Sequence, residues 1–283
     1  MHTWRSFTFV AAAVLIIAVG IPVAAGVPHG GAKGHAAAKA PGTTAVAPGG
    51  VKAQATSDVA PRVGGYFKTL TPGARLPSGA ECASRVHRSS WEPRPNNRGA
   101  NHTIVSQPVN LPDNPAFDET WQKEYKPRIT GDFTGTTDEI IQWASCKWGI
   151  SDDLTRARAV YESSWQQSKV GDYESRASGH CAAGSAPTVA ICPTSFGILQ
   201  SKWYFRPGVY PDTKISTAFN IDSVLAETRG CLDGLEWFGP KSRGNVWGCV
   251  GLWFSGDWGQ NDAPYISNVR TILAEKPWRS WRG

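Results

Sequence analysis

The chain has 283 residues, 41% of them hydrophobic, enough for one good core or one core with tails. Lys and Arg outnumber Asp and Glu by 29 to 23, and such a basic excess suits an anionic partner such as cell wall or membrane surface. The positive charge is scattered, not gathered into a run that tracks a phosphate backbone, which excludes nucleic acid as the expected partner.

Residues 1–25 read as an export signal. Arg5 gives a short positive region, residues 7–25 are apolar or small around Val14-Leu15-Ile16-Ile17, and Val23-Ala24-Ala25 suits a cleavage site. The stretch is nearly long enough to span a bilayer, so it stands as a signal peptide or an uncleaved anchor, the chain's only expected contact with a membrane. Both readings put the rest of the chain outside the cytoplasm, secreted or in the cell wall. Residues 26–60 are Gly, Ala, Pro, Val and Lys without periodicity, which predicts a disordered spacer. Residues 61–135, rich in Pro, Gly and Asn, predict an irregular extension packed on the core, pinned by Trp91, Trp121 and Tyr125.

Helices are predicted from Thr136 onward, over residues 136–283. Thr136 and Glu139 have capping-box spacing, Ile140, Ile141 and Ala144 share a face, and Gly149 is a natural stop. A second helix follows Ser151, with Asp152 and Asp153 at its positive end and Leu154, Ala157, Tyr161 and Trp165 as its apolar stripe. Residues 171–194 read as a loop. A third helix is predicted over 218–237, ended by Gly239-Pro240, a fourth over 246–254, and a fifth from Pro264 to just before Pro277. No long alternating strand is legible. The expected class is mainly α, a single helical globular domain.

Six cysteines, Cys82, Cys146, Cys181, Cys192, Cys231 and Cys249, are scattered with no C-x-x-C pair, which in an exported chain reads as disulfides, not zinc. Sequence alone does not choose their connectivity; consecutive pairing is the expectation, with Cys181 and Cys192 closing a short Gly/Ala/Ser loop.

Glu162 lies at the edge of the second helix's stripe, between Tyr161 and Trp165 in sequence. A carboxyl half in a protein wall and half in a cleft keeps its proton to higher pH, as in the best-known lysozyme, where it reaches about 6. A solvated surface glutamate is the plain alternative. Glu162-Ser163, then Gly197-Ile198-Leu199-Gln200, Phe219-Asn220-Ile221 and Trp253-Phe254-Ser255-Gly256 follow in an order and character that resemble the lytic transglycosylases and goose-type lysozymes, over about residues 136–275. The stretch from Glu162 to Gly197 is longer than usual there, and Trp253 and Phe254 stand where that family has tyrosine and asparagine.

The resemblance implies a lysozyme-like α+β domain that cuts peptidoglycan glycan strands. It implies Glu162 as acid and then base, with Ser163, Gly197, Ile198, Gln200, Trp203 and Trp253 against the substrate. Gly197 would admit close backbone approach to a sugar. Asp172 and Glu174 are candidates for a second carboxylate, or plain loop acids. Trp203, Trp253 and Trp258 are candidate sugar platforms among 13 tryptophans. No metal or organic cofactor is implied, and a monomer is expected. The rival readings are a wall-binding module that grips glycan without cutting it, and a secreted scaffold. No serine-hydrolase elbow, zinc-protease helix or nucleotide-binding loop occurs.

Overall fold

The computed structural model describes residues 65–106, 119–182, 185–186, 188–206, 208–256, 258 and 263–283. The chain divides into two units, Met1–Gln54 and Ala55–Gly283, and every described residue belongs to the second. The expected export signal and spacer lie outside the described residues.

The described part is mainly helical with one small sheet. In chain order the elements are α1 (Gly79–Ala83), α2 (Arg98–Asn101), α3 (Thr137–Trp148), α4 (Asp152–Ser163), β1 (Val170–Ser175), β2 (Ile191–Phe196), β3 (Ser201–Lys202), α5 (Asp212–Ile215), α6 (Thr217–Asp233), α7 (Val246–Ser255) and α8 (Ala263–Glu275). Helix α3 begins as the sequence predicts. The Thr136 hydroxyl accepts from the Glu139 N–H, the Glu139 carboxylate accepts from the Thr136 N–H at 2.9 Å, and Gly149 ends the helix. Helix α4 starts from Ser151, whose side chain accepts from the Leu154 N–H.

Three expectations are corrected. Trp165 is not on α4: Ser164 and Trp165 both take left-handed backbone (φ 53 and 65), which turns the chain off the helix axis at Ser163. Trp165 is still fully buried, its indole N–H donating to the Arg156 carbonyl at 3.1 Å, while Tyr161 is 38% exposed. The third long helix stops at Asp233, not near residue 237. The N–H groups of Gly234 and Leu235 return to the carbonyls of Cys231 and Gly230, a Schellman closure that ends the helix while the leucine spacing runs on. Finally, residues 171–194 are not all loop. β1 pairs antiparallel with β2, in the register Val170↔Phe196 and Tyr173↔Pro193, and β2 pairs with β3. β1 has no alternating apolar face and no fully buried residue, so ladder bonds and the neighbouring disulfide hold it, not a face packed on the core.

α6 is buried on almost every side, as a central helix should be. It packs on α3 and α7; α8 packs on α4 and α7. Trp143, Trp148, Trp165 and Trp278 are fully buried. The segment before α3 is integral to this core. Trp91, Trp121 and Tyr125 are buried, and Glu92 accepts from the Thr137 N–H at 2.7 Å and from Asn101 at 2.8 Å. Buried Asp222 of α6 accepts from the N–H groups of Thr130 and Gly131, the Lys147 ammonium at 2.7 Å and the Trp148 indole at 2.6 Å.

The cysteines form three disulfides, Cys82–Cys146, Cys181–Cys192 and Cys231–Cys249, and none is free. Such bonds belong to an oxidising environment. No helix among the described residues is long and apolar enough to cross a membrane.

Candidate active site

Glu162 occupies the last turn of α4, where the helix ends against the turn between β2 and β3. Three buried side chains lock that turn. The Ser163 hydroxyl donates to the Ile198 carbonyl at 2.8 Å. The Gln167 side-chain oxygen accepts from the Ile198 N–H at 3.0 Å, and that of Asn220 accepts from the Leu199 N–H at 2.9 Å. Asn220 also donates to the Phe196 carbonyl at 3.0 Å and the Thr213 hydroxyl at 2.6 Å.

This geometry revises the expectation for Gly197. It sits at φ +83 and is buried, and a β-carbon there would run into the Asn220 amide and lie 2.7 Å from the Thr213 carbonyl. The glycine makes room for Asn220, not for a ligand. Ser163 and Ile198 are likewise buried and tied to each other, so neither offers a surface to a substrate. Gln200 is half-buried, its amide donating to the Gly197 carbonyl at 2.7 Å and the Lys169 carbonyl at 3.1 Å.

Glu162 itself is half-buried. The Tyr265 hydroxyl, from the first turn of α8, donates to its Oε1 at 2.6 Å. The Tyr265 ring is held by Phe254, stacked at 4.6 Å, and by the edge of Tyr161 at 4.9 Å. Burial pushes the Glu162 carboxyl up to about 7. The Tyr265 hydroxyl and the Arg158 charge pull against this, the Asp172 charge adds to it, and the Trp253 indole, a donor only, favours the ionised form. Burial, and then Glu162 beside it, hold the Tyr265 hydroxyl well above the ordinary tyrosine range, so it stays a donor.

Of the two candidate second carboxylates, Asp172 is the one whose charge bears on Glu162. It takes left-handed backbone (φ 50) in β1, its Oδ2 accepts from the Ser195 hydroxyl at 2.5 Å, and its side chain is 57% exposed. Glu174 is engaged elsewhere. It accepts from the Tyr204 hydroxyl at 2.6 Å, meets His180 Nδ1 at 2.7 Å and pairs with Lys202 at 3.2 Å. Burial works to raise Glu174, but those three bonds and the Lys202 charge outweigh it and hold the carboxyl at about 2.

The Trp203 indole donates to the His180 carbonyl at 2.9 Å and its ring lies beside Tyr210. Trp258 packs against Gly248 at the start of α7. The Arg206 guanidinium lies 4.0 Å over the Trp253 ring and pairs with Glu227 at 2.7 Å. Trp253 is also a wall of a small open pocket lined further by Arg206, Glu227, Thr228, Trp237 and Leu252.

The structure thus brings together Glu162, Trp253 and the 197–200 turn; Asp172 bears on Glu162 by its charge and, 3.9 Å from the Lys202 ammonium, also joins the cluster that holds Glu174. Sequence reasoning missed Tyr265, Arg158 and Gln167. Helical spacing carries a signal for Arg158, four residues before Glu162; nothing local marks Tyr265.

Among the described residues no group of three or more His, Cys, Asp or Glu is arranged to hold a metal ion. Comparison of the chain with protein-family models, curated proteins and solved structures gave no match.

Proposed function

We propose that the protein is an exported, lysozyme-like enzyme that cleaves the β-1,4 bond between N-acetylmuramic acid and N-acetylglucosamine in peptidoglycan. The observation that carries this reading is the state of Glu162: half-sheltered, bonded to one tyrosine hydroxyl, with a proton affinity near neutrality. A general acid is most effective when its pKa lies near the working pH.

The protonated Glu162 gives its proton to the glycosidic oxygen as that bond breaks. The resulting carboxylate then takes a proton from the attacking hydroxyl. If the attacker is the sugar's own hydroxyl, the product carries an anhydro end; if it is water, a reducing end.

One observation favours water. Asp172 is an exposed carboxylate, steadied by Ser195, whose charge bears on Glu162. It gives hydrolysis a second acidic group beside the first.

The test is release of fragments from purified peptidoglycan, read by mass spectrometry. Glu162→Gln lowers release by about 10²–10⁴-fold. Equal release by the variant and the parent protein removes Glu162 from the chemistry. Reducing-end fragments that disappear in Asp172→Asn support hydrolysis; anhydro ends unaffected by that change support the intramolecular route.

A further inference from the structure

Arg158 lies one helical turn before Glu162 on α4 and is 0% exposed. A guanidinium out of water needs compensation. Other buried arginines here have it: Arg156 meets Asp138, Asp152 and Asp153, and Arg229 meets Asp233. Among the described residues Arg158 has no carboxylate in hydrogen-bonded contact. Its Nη1 donates to the Thr228 hydroxyl of α6 at 2.9 Å, and its Nε and Nη2 make no well-formed hydrogen bond among the described residues. Its guanidinium lies 5.6 Å from the centre of the Trp253 ring. Thr228 and Trp253, with the Tyr265 hydroxyl that Arg158 shares with Glu162, therefore fix a buried positive charge on the side of α4 that carries Glu162, at the spacing where side chains on a helix face one another.

We propose that Arg158 is a positioning residue that holds Glu162 in its anionic form between the two halves of the reaction. The inference rests on the reading of Glu162 as acid and then base. In the first half the proton passes from Glu162 to the glycosidic oxygen, which leaves with the bonding pair. In the second a hydroxyl oxygen bonds to the sugar carbon and its proton returns to Glu162. Between them a carboxylate must persist in a half-dry site, where burial disfavours it.

The groups that face this carboxylate come from four elements. They are Arg158 on α4, Tyr265 on α8, Trp253 on α7 and Asp172 on β1. Behind Trp253 stands the Arg206–Glu227 pair, already neutralised. The two charges that bear on Glu162 have opposite sign. That of Asp172 is exposed, lies 3.9 Å from the Lys202 ammonium and is screened by salt, whereas that of Arg158 is buried and screened far less.

The experiment is a ¹³C NMR titration of the glutamate carboxyls in the whole protein, with Glu162→Gln to assign the signal. Arg158→Gln keeps an amide donor for Thr228 but loses the charge, and raises the Glu162 midpoint by about one pH unit or more. Arg158→Lys keeps the charge and leaves the midpoint near the parent value. Arg158→Met, which removes the cost of burying a charge, behaves as Arg158→Gln and serves if that variant does not fold. In activity, the alkaline limb of the pH–rate profile moves up with the midpoint, while the rate below the limb falls by up to about tenfold because a higher midpoint makes Glu162 the weaker proton donor in the first half.

Midpoints equal in all four proteins, or raised equally by Gln and Lys, overturn the proposal. Absence of glycan release by the parent protein overturns both readings at once. Release that depends on Glu162, with unmoved midpoints, overturns only the role of Arg158.

Discussion

Position 162 sets burial against hydrogen bonding, and burial wins by enough to bring a carboxyl to about 7. The sign of the stability effect follows. An unfolded glutamate ionises near 4.5, so between that pH and about 7 the unfolded chain loses its proton while the folded one keeps it. Folding is therefore penalised as pH rises through that window, and the penalty levels off above about 7. Glu162→Gln lifts it: at pH 8 the variant is more stable by about 1–3 kcal/mol, and at pH 4 the two proteins unfold together. Thermal unfolding at both pH values checks this. Tyr265→Phe removes the donor but keeps the stacked contact with Phe254, so the Glu162 midpoint rises above its present value in the same NMR titration. Glu162 stood out in the sequence only through the ordered segments around it that resemble the lytic transglycosylases, since an acid on an amphipathic helix by itself reads as solvated. Tyr265 did not, because 103 residues separate it from Glu162 and no periodicity links two helix ends that meet only in the fold.

Among the elements, the turn from β2 to β3 fixes the register of the site. Ser163, Gln167 and Asn220 each hold one of its backbone groups, and Gly197 leaves the space that Asn220 fills. Gly197→Ala brings a methyl group into that amide on a backbone that disfavours any side chain, and costs about 2–4 kcal/mol in chemical denaturation. A loss below about 1 kcal/mol would mean that the turn repacks freely. The starts of α3 and α4 were readable because their caps are local chemistry, a hydroxyl or carboxylate reaching two or three residues along the chain. The end of α6 was misread because apolar spacing continues through Leu235 while Gly234 has already turned the backbone. β1 was missed because polar residues lie on both its faces, so its pairing left no alternating pattern.

Among the described residues, the stretch before α3, with its short helices α1 and α2, belongs to the core. Asp222 joins it to α3 and α6 by accepting from two backbone N–H groups, an ammonium and an indole. Asp222→Ala strands the buried Lys147 charge and costs about 3–5 kcal/mol, measured as a shift in the denaturation midpoint with unchanged slope. Sequence composition pointed to this wrap and to its aromatic pins. It gave no sign of Asp222, since a lone acid on a helix looks the same whether it faces solvent or a buried lysine.

The three disulfides have one further property. Each joins a cysteine to the next one along the chain, so no two of the closed loops interleave. A polypeptide emerging from its N-terminal side and oxidised pair by pair would reach the native set directly, with no wrong bond to undo. Its maturation would then call for an oxidant and not for an isomerase.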